Sequence, residues 1–302
     1  MTNALPSRTT LFLRKQVLII LLIAPAFIIF TTFVVVPVIQ SSYYSLFRWK
    51  GMGPLNDFIG LQNFIWAFTD KVFLTALYNN VKIVLLSLAF QLPLAFLFAL
   101  LVARKPFHGS LVFRSLYFFP YIMAEIVIGI IWRFIYNPQH GLPTILAGFF
   151  TRSNLEIGLL GDPDLAFWAV FVVICWKYIG FHMILYIAGL QGVPQELEDA
   201  AIIDGASKLQ VVLYVILPRL RSTIIISVFL CVVGAFNVFD IVWAMGQGGP
   251  VHATETLVTY LYNFGFKRFA FGYGSAVAVI IFLICLVFNL FYQRYLVGES
   301  NT

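Results

Sequence analysis

Six stretches of about twenty predominantly apolar residues divide the chain: 17–39, 77–103, 116–136, 165–190, 223–245 and 271–292. A helix needs roughly 20 such residues to cross the hydrocarbon core of a bilayer, and only helices or closed barrels satisfy their backbone there. Composition agrees, with 61% hydrophobic and 11% charged residues among 302. So few charges cannot cover the outside of a water-soluble fold of that length. A soluble enzyme, a nucleic-acid binder and a disordered chain are excluded on that ground. The expected fold class is an all-α integral membrane protein of about six transmembrane helices, with 1–302 forming one membrane domain.

The net charge of +6 bears on orientation rather than on nucleic acid. Lys and Arg collect in cytoplasmic loops. Arg8, Arg14 and Lys15, then Arg104, Lys105 and Arg114, then Lys208, Arg219 and Arg221 all fall on one side of the six crossings. Both termini are therefore expected in the cytoplasm. The first apolar stretch exceeds the ~7–15 residues of a cleavable signal core and reads as a retained span. Cys175, Cys231 and Cys285 stand far apart inside apolar runs and read as small buried hydrophobes. Pro25, Pro37, Pro93 and Pro120 lie within or at the ends of spans, where ordinary kinks are expected.

The most informative stretch lies within 191–221, between spans four and five on the positive side: GVPQELEDAAIIDGASKLQVVLYVILPRLR. Pro194 suits the first position of a helix. Glu196, Glu198 and Asp199 fall in its first turns, where the helix dipole favours negative charge. Leu197, Ala200, Ala201 and Asp204 share one face at helical spacing. Gly205 can take the positive φ that ends a helix. A second helix follows, with Leu209, Val212, Leu213 and Ile216 as its apolar stripe, closed by Leu217-Pro218. Acidic residues disfavour an interfacial helix on a leaflet that is itself negative. A short helix, a glycine turn and a second amphipathic helix thus form a surface for docking another protein.

This stretch resembles the signature loop of ABC importer permeases: E-A-A, three residues, Gly, nine residues, Ile, one residue, Leu-Pro. The chain reads Asp199-Ala200-Ala201, Gly205, Val215 and Leu217-Pro218 at that spacing, with Asp for Glu and Val for Ile. Further matches point to the maltose and glycerol-phosphate branch. They are Phe58 to Phe64, Phe113-Arg114 through Pro120, Trp132 with Asn137-Pro138, Trp176 through Leu190, Gly248-Gly249-Pro250 with Thr254-Glu255-Thr256, and Gly272 to Ala276.

The resemblance implies a subunit of the bacterial or archaeal cytoplasmic membrane that forms half of a sugar-importing pore. It also implies three partners: a second homologous permease, an ABC ATPase dimer that binds ATP and Mg²⁺, and an extracytoplasmic solute-binding protein. Glu196, Asp199, Ala200, Ala201, Asp204 and Gly205 correspond to the coupling helix that enters the ATPase. The chain has no G-x-x-x-x-G-K-[ST] of its own. By position, the resemblance places Lys177, Tyr178 and Phe181 of span four and Cys231, Gly234, Ala235 and Val238 of span five on the solute path. Asn237 and Asp240 lie beside them.

Ionisable groups inside spans are costly and mark function by default. Lys82 stands near the start of span two and is expected to snorkel to the interface. Lys177 and Asp240 are read either as an ion pair or as solute contacts, and Lys177 alternatively as favouring an anionic solute. Glu125 or Asp240 would serve an ion-coupled secondary transporter, the rival reading, which also requires inverted repeats. Asp162 and Asp164 are the only acids a membrane enzyme could use, and a turn explains them. His182 is read as a packed or hydrogen-bonded residue.

Overall fold

The computed structural model describes residues 8–104, 109–151 and 156–294, with side chains from residue 16 onward except at 104, 150 and 151. Lys105, His108 and Arg152 lie outside them, as do the side chains of Arg8, Arg14, Lys15 and Arg104. Among the described residues the fold is all helix, apart from one isolated bridge between Phe47 and Phe58. Four helices are long and apolar enough to cross a membrane unbroken: α1 (Gln16–Tyr44), α3 (Lys71–Ala103), α7 (Pro163–Gln191) and α13 (Phe271–Tyr292). Between α1 and α3 runs the short helix α2 (Gln62–Thr69). Asp70 sets the start of α3, its carboxylate accepting from the N–H groups of Val72 and Phe73 at 2.7 and 3.0 Å.

The other two expected spans are not straight. α4 (Ser110–Ile122) meets α5 (Glu125–Ile135) at 102° across extended residues Met123 and Ala124. α9 (Lys208–Arg219) meets α10 (Arg221–Phe236) at 75°. The stretch expected as span five stops being one helix at Asn237 and restarts as α11 (Asp240–Gly246). Counting each bent pair as one span gives up to six crossings. The remaining helices are α6 (Leu142–Thr151), α8 (Gln195–Ile203) and α12 (Leu257–Tyr260).

Three prolines produce wide turns in place of the plain kinks and the regular stripe that the sequence predicts. Val36, Leu92 and Leu217 each donate to the carbonyl five residues back, at Thr31, Ser87 and Val212. Each wide turn precedes a proline: Pro37, Pro93 and Pro218. A proline in a helix lacks its N–H and clashes with the carbonyl four residues earlier. That carbonyl belongs to Phe33, Ala89 or Tyr214, the middle residue of each wide turn. The extra residue absorbs the clash without breaking the helix.

α7 is the axis of the bundle, with 61% of its apolar window buried inside the chain. It packs on α3, α4, α10 and α11. One core gathers Ile83, Ile128, Val170, Ile174 and Val242 around its first half. A second gathers Ala95, Ala99, Met183, Leu190 and Leu220 around its other half. A third joins α3, α10, α12 and α13 through Phe73, Val232, Tyr260 and Val277. α1 contributes to none of these cores and has none of its apolar window buried, and its last turns, Val36–Tyr44, pack on α13.

Candidate functional site

A cavity of about 170 Å³ opens between α3, α4, α7 and α10. Tyr178 and Phe181 of α7 line it with Cys231, Gly234 and Ala235 of α10 and Val238 just beyond. Those residues share one wall because they recur at helical spacing on facing helices. Ser87 and Gln91 of α3, Tyr121 of α4 and His182 of α7 complete the polar and aromatic lining, and the sequence reading did not include them. Ser87 and Gln91 bound the wide turn before Pro93, so polar residues four apart in an apolar run were the available signal. Tyr121 stacks on Phe181, with ring centroids 4.6 Å apart and planes at 22°. His182 Nδ1 lies 2.8 Å from Ser227 Oγ, tying α7 to α10.

Three proposed path residues stand elsewhere. Asn237 is exposed and donates to its own helix at Val233 O, 2.8 Å away. Asp240 is half-buried in the first turn of α11. α10 ends at Phe236, so neither residue continues its cavity stripe. Lys177, only 2% exposed, does not line the cavity and makes no ion pair with Asp240. Its Nζ donates instead to the carbonyls of Met123, Tyr121 and Pro120 at 2.8, 3.2 and 3.4 Å. The Tyr178 hydroxyl donates to the Glu125 carboxylate. Lys82 Nζ sits 3.8 Å from the Phe167 ring centroid and 4.7 Å from that of Trp168, near the start of α7. Asp162 caps α7 by accepting from the Asp164 N–H, the turn role expected for that pair.

The loop between α7 and α10 is built by local rules. Pro194 lies just ahead of α8 rather than inside it. At the far end Gly205 adopts φ +89°, and the Ala206 N–H reaches back to Ala201 O at 2.9 Å, the bond pattern of a glycine-terminated helix. Ser207 and Gln210 then form a capping box that starts α9. Glu196, Asp199, Ala200, Asp204 and Gly205 are exposed. Ala201 and Leu197 are half-buried, so the expected single face splits into an outward acidic side and an inward apolar one. Ile202 and Ile203 are exposed, Ile203 by 85%, and extend the outward face with apolar surface. In α9 the expected stripe is shifted. Leu209 and Leu213 point outward while Val211, Ile216 and Leu220 are buried, and the step of five from Val211 to Ile216 spans the wide turn at Val212–Ile216, which adds a residue to the count.

The remaining motifs lock the opposite end of the bundle. Asn63 donates to Ser45 O and Phe47 O at 2.8 and 3.0 Å. Gly272 packs so closely that an added Cβ would fall 2.0 Å from Phe47 O. Thr256 caps α12 and donates to Val238 O at 2.9 Å. The fully buried Glu255 pairs with His252 at 2.7 Å and accepts from Asn263 at 3.0 Å.

A helical chain with up to six crossings, an internal cavity walled by aromatic and hydrogen-bonding side chains, and an exposed acidic helix hairpin at one end is a membrane transport subunit. The chain belongs to the family of binding-protein-dependent transport system inner membrane components, whose profile matches residues 91–296. It is 33% identical over 283 residues to the probable ABC transporter permease protein YurN of Bacillus subtilis, covering 93% of this chain and 97% of that one. It is 30% identical over 294 residues to the trehalose/maltose transport system permease protein MalF of Thermococcus litoralis, covering 97% and 98%. The sn-glycerol-3-phosphate permease UgpA of Agrobacterium fabrum is 32% identical over 285 residues, covering 93% and 95%. In fold the chain matches a bacterial ABC transporter involved in import of the acidic polysaccharide alginate, with TM-score 0.81, 21% identity and coverage of 96% and 99%.

Proposed function

We propose that this permease subunit forms half of the pore through which an ATP-driven importer moves a sugar or related polyol. The observation that carries the reading is the cavity wall. Stacked Tyr121 and Phe181 present flat apolar faces beside Ser87, Gln91 and His182, and a sugar offers the matching apolar face and hydroxyl edge. A second homologous permease supplies the other half of the pore, and an extracytoplasmic binding protein delivers the solute. ATP and Mg²⁺ are held by a partner ATPase dimer that receives α8, with Glu196, Asp199, Ala200, Ala201, Asp204 and Gly205 at the contact. Both termini lie in the cytoplasm on this reading. The relatives that carry trehalose, maltose and glycerol-3-phosphate support the solute class. Of the two acids the gradient-driven alternative could use, Glu125 accepts from the Tyr178 hydroxyl.

The test is purification of the tagged chain from its own membranes, then reconstitution in vesicles. A P-loop ATPase and a second permease should copurify and be lost on substitution of Asp199 and Gly205. Uptake of a neutral oligosaccharide should require ATP and the binding protein. A chain that purifies alone and moves solute without ATP would overturn the reading.

A further inference from the structure

The break between α4 and α5 places a helix end beside α7, inside the membrane region of the bundle. The last carbonyls of a helix have no partner within it, and no water replaces them in a bilayer. Lys177 meets this need. Its ammonium carries three N–H donors and faces three carbonyls, those of Pro120, Tyr121 and Met123. The negative end of a helix also favours a cation. The next residue holds the other side of the break, Tyr178 donating to Glu125 in the first turn of α5. At Gly180 the two backbones touch: an added Cβ would fall 1.8 Å from Tyr117 O. Phe181 then stacks on Tyr121. Four positions within five residues of α7 therefore grip the interruption from both sides.

Tyr121 is the residue this arrangement fixes. Its carbonyl is held by Lys177 while its ring forms part of the cavity wall. We propose that Lys177 is a positioning residue, whose ammonium caps the interrupted third span and so holds Tyr121 against Phe181 as the wall the solute meets. Its charge is committed to carbonyls and is not offered to the solute. The proposal rests on the import reading for the solute, but the geometry it asserts does not.

The test uses the whole transporter in membranes, with Cys175, Cys231 and Cys285 replaced and a Tyr121→Cys/Phe181→Cys pair introduced. Disulfide formation across this pair reports backbone position whatever the transporter carries. Lys177→Met should slow it about tenfold or more, the scale of a lost hydrogen bond to a charged group, and Lys177→Arg should restore it. With native aromatic residues, Lys177→Met should raise the KM for maltotriose-stimulated ATPase about fivefold or more. Tyr121→Ala should add little on that background. If Lys177→Met does not assemble, Lys177→Gln keeps two donors without the charge and should cross-link between wild type and background rates. An unchanged cross-linking rate in Lys177→Met, or in Lys177→Gln where that variant stands in for it, overturns the proposal. Selective loss of an alginate trisaccharide with cross-linking intact also overturns it, because Lys177 would then meet the solute directly. A wild-type complex whose ATPase answers to no solute sinks the import reading and leaves the cross-link result to stand or fall alone.

Discussion

Gly180→Ala is the most direct test of how α7 holds the bundle. The new Cβ would lie 1.8 Å from Tyr117 O, 2.5 Å from Tyr117 C and 3.0 Å from Phe118 N. All three atoms are backbone, so no rotamer change relieves the contact. Ordinary contact begins at 3.4 Å, so α7 and α4 must part by about 1.6 Å at this point. The same displacement stretches the shortest Lys177 bond, now 2.8 Å, beyond hydrogen-bonding range. Overpacking costs about 1–3 kcal/mol and a lost charged hydrogen bond about 1.5–3. Alanine gains about 1 kcal/mol in helix propensity over glycine, leaving a net loss of about 2–5 kcal/mol. At roughly 2 °C per kcal/mol for a chain of this size, the purified complex should melt about 4–10 °C lower at a fixed scan rate. A variant melting within about 1 °C of wild type would refute the close approach and the cap with it.

Three further outcomes are expected. Gly205 has φ +89° and nothing within 4 Å of where a Cβ would sit, so Gly205→Ala meets only backbone strain of about 1–2 kcal/mol. Binding of the partner ATPase, measured by titration, should weaken roughly 5–30-fold, while Gly205→Asn, which tolerates this conformation, should retain most of it. Asn80→Leu removes the fully buried amide that donates to Ala235 O at 2.6 Å and accepts from Leu257 N at 2.8 Å. It should cost about 1–3 kcal/mol for each stranded group, read as a lower melting temperature. Phe181→Ala removes the ring stacked on Tyr121 and should raise the solute KM about 2–12-fold, from the ~0.5–1.5 kcal/mol of such a pair, with basal ATPase unchanged.

Much of this architecture is legible in the sequence, and the exceptions have physical causes. α1, α3, α7 and α13 were readable because long apolar runs leave one solution, and Asp70 and Asp162 mark the starts of α3 and α7. The breaks at Met123–Ala124 and Asn237–Phe239 were not, since neither holds a Gly or Pro and hydropathy cannot tell a straight helix from a bent pair. What sustains the first break is Lys177, more than fifty residues away in sequence. The hairpin of α8 and α9 was readable because Gly205 writes its own turn locally. Ile202 and Ile203 were missed because exposed apolar residues look like core ones. Tyr178, Phe181, Cys231 and Ala235 were grouped by the family resemblance, carried across by position. Ser87, Gln91 and Tyr121 come from other spans, and only tertiary packing brings them to the same cavity.

The wide turn of α3 has a consequence for the phase of that helix. Asn80, Ile83, Ser87, Gln91, Ala95, Ala99 and Val102 are all buried, a stripe that mostly advances by four. A regular helix repeats every 3.6 residues, so such a stripe would drift around it. One extra residue in the turn at Ser87–Gln91 resets the drift and keeps the stripe straight between α10 at one end and α7 at the other. The second half of this span is indexed by a count of residues, not by the chemistry of any one of them. Deleting a single residue in the regular turns that follow, even the exposed Leu97, would rotate everything after it by about 100° and carry Ala99 and Val102 off α7. Replacing the same residue would leave the index intact.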